Sequence, residues 1–99
     1  MHVIAEFTVI PIGTGVDLKE YVKACEVILQ DDNIKHELHA NGTNVEGEWN
    51  EVLEAIRKCH EKLHEMGVPR IATIIKVGTR TDKKQSMEDK VNSVKNVPD

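Results

Sequence analysis

Aromatic side chains are nearly missing from this 99-residue chain: Phe7, Tyr21 and Trp49 are the full set. Proteins that hold single-stranded nucleic acid stack bases on aromatic rings and meet phosphates with positive charge. Here 13 basic residues face 17 acidic ones, for a net charge of -4. Nucleic acid is excluded as a partner. There is no long apolar run either, so no segment reads as a membrane span. The N-terminal stretch has neither a basic start nor a small-residue cleavage site. The expectation is a cytoplasmic chain without a secretory signal. Cysteine is scarce: Cys25 and Cys59 lie far apart, each on the apolar stripe of a segment with helical spacing. They read as buried small hydrophobes and not as a disulfide framework, with a redox or metal role as the alternative. At 11.1 kDa and 39% hydrophobic, residues 1–99 make one domain whose core looks thin for a monomer.

What is present orders itself by period. Residues 2–10 alternate, with Val3, Ala5, Phe7 and Val9 on one face and Ile4, Glu6, Thr8 and Ile10 on the other, which predicts a strand stopped by Pro11. Gly13 and Gly15 make the next turn. Asp17 with Glu20 reads as a capping box opening a helix through Gln30. A short strand over 34–39, a hairpin at Asn41-Gly42 and a second short strand from Thr43 to Glu46 follow. A longer helix then carries Trp49, Val52, Leu53, Ile56, Cys59, Leu63 and Met66 on one stripe, ended by Gly67 and Pro69. Ile71 to Thr79 is a strand rich in β-branched residues, and Ser86 with Asp89 caps a weak helix over 86–95. The order β-α-β-β-α-β predicts a ferredoxin-like α+β fold: one antiparallel sheet, two helices on one face, and an added C-terminal helix.

The face turned away from the helices is informative. Ile4, Glu6, Thr8 and Ile10 would share it with Ala72, Ile74, Lys76 and Arg80 of the last strand. That surface is too apolar for water and too charged for a core, so it reads as a meeting place for protein or ligand. Glu6 and Lys76 read either as a surface ion pair or as a polar pair that orients a ligand. Pro11-Ile12-Gly13-Thr14-Gly15 is a strand-to-helix turn that offers backbone N–H groups, without the residues of a phosphate loop. Gly42-Thr43 with Glu46 places a hydroxyl and a carboxylate on a hairpin, Glu46 being equally a helix cap. His60 and His64 have metal-pair spacing but no third ligand nearby, and a solvated face is the simpler reading. Arg80 and Lys83 make either an anion clamp or a solvated loop.

Five segments in register carry a resemblance: Ala5-Glu6; Val9-Ile10-Pro11-Ile12-Gly13-Thr14; Gly42-Thr43-Asn44-Val45-Glu46-Gly47; Gly67-Val68-Pro69-Arg70-Ile71; and Val77-Gly78-Thr79-Arg80-Thr81-Asp82-Lys83. Together they resemble the small ferredoxin-like thiamine-binding protein family. The resemblance implies a non-enzymatic cytoplasmic protein that binds thiamine or its hydroxymethylpyrimidine moiety. It implies no cofactor and no metal. It also implies a homodimer of continuous sheets paired into a homotetramer, with the ligand near subunit contacts. The family's polar turn falls on Thr14 and Gly15, its hairpin residues on Gly42, Thr43 and Glu46, and its strand-four arginine on Arg80. Glu6 or Glu46 then answers the cation's charge. The chain departs from the family at His39-Ala40-Asn41, often apolar or proline-containing, and at Thr79, often acidic. Two other readings stay open: an oligomeric structural or regulatory domain without a ligand, and a small acylphosphatase-like enzyme. The enzyme needs an arginine in an N-terminal phosphate loop, and the first arginine here is Arg57, in mid-helix.

Overall fold

Alternation along the first strand decides which way the sheet faces. Val3, Ala5 and Phe7 are buried, while Ile4, Glu6, Thr8 and Ile10 stay half-buried or exposed on the other side. The computed structural model describes residues 1–99. In chain order the elements are β1 (His2–Ile12), α1 (Lys19–Asp31), β2 (Lys35–His39), β3 (Gly42–Glu48), α2 (Trp49–Glu65), β4 (Arg70–Gly78) and α3 (Met87–Lys95). The strands form a single antiparallel sheet in the order β2-β3-β1-β4. Cys25 and Leu29 of α1 and Val52, Ala55, Ile56, Cys59 and Leu63 of α2 pack with Val3, Ala5, Phe7 and Val45 in one core. This is the ferredoxin-like α+β fold with an added C-terminal helix.

Both core helices end in the same hydrogen-bonded device. The Gly67 N–H bonds the His64 carbonyl at 3.0 Å and the Val68 N–H bonds the Leu63 carbonyl at 3.0 Å. Gly67 sits at φ +97°, which glycine adopts without strain. At the end of α1, Asn33 takes φ 55°. Its N–H bonds Gln30 at 3.1 Å, and the Ile34 N–H bonds Leu29 at 2.9 Å. Leu29 and Leu63, the residues these bonds return to, are both fully buried. Each termination is therefore anchored in the core, where truncation of a buried leucine to alanine costs about 2–5 kcal/mol.

Several local expectations are corrected. Pro11 does not stop β1: the strand runs on to Ile12, with Pro11 opposite Ile71. Pairing with β3 ends at Phe7, so from Thr8 onward β1 has β4 as its one neighbour, where proline is tolerated. Asp17 and Glu20 do not form a capping box. Leu18 is the N-cap of α1, without a side-chain cap, and Asp17 accepts from the Lys19 N–H at 3.3 Å. The hairpin turns at residues 40–41, neither with positive φ, and Gly42 is already the first residue of β3. Trp49 opens α2 half-exposed, its N–H bonding the Met1 carbonyl at 2.8 Å. The Ser86–Asp89 capping box of α3 forms as expected.

The face opposite the helices carries Glu6 beside Lys76, Thr8 beside Ile74 and Ile10 beside Ala72, the expected register. Ile74 is 66% exposed. Met87 of α3 is buried, whereas Val91 and Val94 face solvent.

Gly42 is fixed by proximity and not by its turn. A Cβ there would stand 2.7 Å from Thr8 Oγ1 and 3.1 Å from the Phe7 carbonyl oxygen. Thr8 Oγ1 itself donates to the Asn41 carbonyl at 2.8 Å. Gly42→Ala should therefore lose about 1–3 kcal/mol in urea unfolding, the usual cost of overpacking. Adding Thr8→Ala should recover part of that loss; equal penalties in both backgrounds would show that the hydroxyl is not the obstacle.

Candidate functional site

Because β3 begins only at Gly42 while β1 continues to Ile12, a notch opens beside the far half of β1. The hairpin tip closes one side of it and the first turns of α1 roof it. The resulting crevice has a volume of about 280 Å³. Its walls are mainly apolar: Phe7, Val9 and Ile10 of β1, Leu18, Tyr21, Val22 and Cys25 around α1, Leu38 of β2 and Leu63 of α2. Thr8, His39, Asn41 and Thr43 add a few polar groups along the hairpin side. An apolar cleft with a small number of converging polar atoms is the usual form of a small-molecule site.

Two carboxylates stand one layer behind this lining. Glu26 of α1 accepts from Thr43 Oγ1 at 2.9 Å, with His36 Nε2 at 3.9 Å from its other oxygen. Glu6 Oε2 lies 3.1 Å from His39 Nε2, in an approach that is off the hydrogen-bonding direction. Lys76, directly across the ladder from Glu6, makes no ion pair with it. Both carboxylates add negative potential at the hairpin side of the crevice.

The residues singled out from the sequence fall in different places. Gly42 and Thr43 line the crevice, and Glu6 reaches it through His39. Glu46 and Arg80 line a second, wider and polar cleft of about 840 Å³, between the open sheet face and residues 79–90. Glu46 has its oxygens engaged there. Its side chain is 11% exposed and meets Lys35 Nζ at 3.3 Å and His2 Nε2 at 3.2 Å. It also accepts from the Met87 N–H at 2.8 Å, so it caps α3 from the sheet. Arg80 is forked onto its own loop, with Nε on Asp82 at 2.7 Å and a second nitrogen on Gln85 at 2.7 Å. Thr14 Oγ1 is shut off from water without a partner, and Gly15 takes φ +88° with open space around it. Neither Thr14 nor Gly15 lines either cleft.

Sequence reasoning passed over Tyr21 and Glu26 as site residues, and read Thr8 on the open face and Asn41 in the hairpin turn; only the folded hairpin and α1 bring the four together. His64 stays exposed, as a solvated face predicts, while His60 is half-buried. His60 Nε2 meets Thr73 Oγ1, and His64 Nδ1 meets the Val68 carbonyl at 2.8 Å. Burial, then the neighbouring His64, holds the His60 imidazole below its ordinary value. Cys25 and Cys59 are free and buried between α1 and α2. The Cys59 thiol is pushed up, by its contact with Cys25 and by burial.

Comparison with known proteins decides the family. The model of the family described as "Thiamine-binding protein" matches residues 5–95. The chain belongs to the thiamine-binding protein family. A relative in Synechocystis, a UPF0045 protein, is 48% identical over 94 residues, covering 95% of this chain and 78% of that protein. A UPF0045 protein of Eremothecium gossypii is 38% identical, over 95% of this chain and 90% of the other. Among solved structures, a hypothetical protein of Methanocaldococcus jannaschii superposes with a TM-score of 0.89 at 30% identity, covering 97% and 98% of the two chains. A Thermotoga maritima protein named for thiamine biosynthesis and salvage gives 0.80 at 20% identity, covering 95% and 99%, which shows the common fold.

For this family member, Arg80 can meet an outside anion only by leaving Asp82. The Arg80 guanidinium and the loop backbone hold the Asp82 carboxyl down to about 2, against an ordinary 3.8. A depressed carboxyl contributes to the folded state above its ordinary value and loses that contribution as pH falls towards 2. Carbon-detected NMR should place the Asp82 midpoint near that value, and Arg80→Gln should raise it towards 3.8. An unmoved midpoint in Arg80→Gln would show that the pair does not form in solution.

Proposed function

We propose that this protein binds thiamine or its hydroxymethylpyrimidine moiety, without catalysis, in the crevice between α1, β1 and the β2–β3 hairpin. The observation that carries the reading is the crevice itself, with its apolar walls, its polar hairpin rim and two carboxylates behind that rim. Thiamine is a permanent cation with a flat aminopyrimidine ring. Apolar walls suit the ring, and Glu6 and Glu26 suit the charge. The chain's net charge of -4 does not repel it. Family membership supports the same ligand class. The seven residues Glu6, Thr14, Gly15, Gly42, Thr43, Glu46 and Arg80 divide in this proposal. Glu6, Gly42 and Thr43 serve the crevice, whereas Glu46 and Arg80 organise the C-terminal segment. Thr14 and Gly15 belong to the turn leading from β1 into α1.

The acylphosphatase-like reading loses further support, because Arg57 lies on the exposed side of α2 between Glu54 and Glu61. Two free, buried thiols suit a reducing compartment, in keeping with the cytoplasm. A homodimer or homotetramer is part of the proposal. It is supported by Ile74 and Ile12, which lie exposed on the open sheet face, and by Ile10 half-covered between them.

Titration calorimetry with thiamine and with hydroxymethylpyrimidine is expected to give saturable heats. Folded protein that releases none at millimolar ligand rules the reading out. Light scattering should report a multiple of 11.1 kDa, and Ile74→Lys should shift the mass towards one subunit. A wild-type monomer at micromolar concentration would overturn the assembly.

A further inference from the structure

Main-chain groups of a strand point alternately to its two edges, so a strand that outlasts its neighbour leaves every second residue without a partner. The edge can be assigned along β1. The Trp49 N–H bonds the Met1 carbonyl, and the ladder continues through Val3↔Gly47, Ala5↔Val45 and Phe7↔Thr43. Odd-numbered residues of β1 therefore turn their N–H and C=O towards β3. Two close approaches agree: a Cβ on Gly42 would meet the Phe7 carbonyl oxygen at 3.1 Å, and one on Gly78 would meet the Ile4 carbonyl oxygen at 3.6 Å on the β4 side. The next odd residues are Val9 and Pro11, and β3 does not reach them. No hydrogen bond joins Val9 to the hairpin, whose Asn41 carbonyl is taken by Thr8 Oγ1 and whose Asn41 N–H turns to His39 Nδ1.

Val9 lines the crevice. Its N–H and C=O thus form an adjacent donor and acceptor, aimed into a largely apolar cleft where a missing partner is costly. Pro11 on the same edge has no N–H, so an incoming peptide strand finds only one residue that can both donate and accept. That favours a small heterocycle over a strand.

We propose that the Val9 main chain is the recognition element of this site, and that it selects ligands bearing an acceptor ring nitrogen beside an exocyclic amine. In a 4-aminopyrimidine the ring nitrogen accepts from the Val9 N–H while the amine donates to the Val9 C=O. The ring takes the place that Thr43 takes opposite Phe7, and Phe7, Tyr21 and Leu38 wall it in. The inference rests on the ligand class proposed above and adds the atoms that read it. No side-chain motif is needed, so no sequence pattern marks the position.

Amide hydrogen exchange of Val9 reads the bond directly. In the free protein this amide should exchange quickly for a residue in a strand, and saturating hydroxymethylpyrimidine should slow it at least about tenfold, as closing one hydrogen bond does. Val9→Pro deletes the donor on an edge that already accepts Pro11, and should weaken binding about tenfold with circular dichroism unchanged. Should that variant fail to fold, wild-type protein still discriminates: 4-aminopyrimidine should compete, and pyrimidine lacking the amine should not. Ligand binding with an unprotected Val9 amide, or equal competition by both rings, overturns this inference and leaves the proposed function standing. If thiamine and hydroxymethylpyrimidine give no heat, the proposed function fails. The recognition element then survives only if 4-aminopyrimidine alone protects Val9, and is overturned if it does not.

Discussion

The molecule is organised by a mismatch of strand lengths: β1 has 11 residues and β3, its inner neighbour, has seven. From Ile4 to Phe7 the sheet has its full four-strand width. Beyond Phe7 it narrows to β1 and β4, and the hairpin must end against the flank of a strand that keeps going. Its tip is held there by Thr8 Oγ1 on the Asn41 carbonyl, at a distance that leaves Gly42 no space for a side chain. The proline near the end of β1 is tolerated for the same reason. The crevice is what remains between the truncated hairpin, the continuing strand and the first turns of α1. Lengthening the hairpin would satisfy more backbone and would remove the site.

At the opposite end of the sheet a different constraint acts on α3. Its valines are largely exposed, so apolar packing holds little of it. Its N-terminus is fixed instead by charge and main-chain hydrogen bonding. Glu46, pointing from β3 onto the open face, takes the Met87 N–H and the Lys35 ammonium. Lys35 in turn bonds Glu88 at 2.6 Å, and the Glu88 carboxylate holds its pKa up. Exposed ion pairs contribute about 0–1 kcal/mol each. Glu46 differs because its carboxylate is mostly covered, so losing its partners would strand a buried charge. The open face is thereby split into a half covered by Met87 and a bare half around Ile74.

Period-2 alternation made most of the fold legible. It set both faces of β1, and it put Glu6 across from Lys76 and Ile10 across from Ala72, because one face of the sheet has to be buried. Ser86 and Asp89 announced their helix, whereas Asp17 and Glu20 carry the same signature without the box. The difference is backbone geometry: α1 begins one residue later, at Leu18 with ψ near 1°, and the Asp17 carboxylate reaches the Lys19 N–H instead. The candidate site was less legible, for two physical reasons. Glu46 reads as a ligand carboxylate or a helix cap until the fold brings His2, Lys35 and Met87 to it, the last 41 residues away. The crevice, for its part, depends on where β3 stops relative to β1. That is a difference of lengths between elements, and no spacing within either one expresses it.

The placement of the titratable groups bears on what the crevice can do. Catalytic sites gather groups with displaced pKa values where a substrate sits. Here the displaced groups lie mostly elsewhere: Asp82 on the exit loop, Glu54 and Arg57 on the outer side of α2, His60 against β4. Cys25 is the exception: it lines the crevice, the Cys59 thiol donates to its carbonyl at 3.9 Å, and that neighbour draws the Cys25 thiol below its ordinary value. The remaining polar groups at the rim are hydroxyls, an amide, the His39 imidazole and main-chain atoms, with carboxylates set one layer back. Such groups fix orientation and select shape, and set-back carboxylates favour a cation without bonding to it. The arrangement suits holding a flat, positively charged molecule, and a pair of main-chain atoms on a strand edge suits reading one side of its ring.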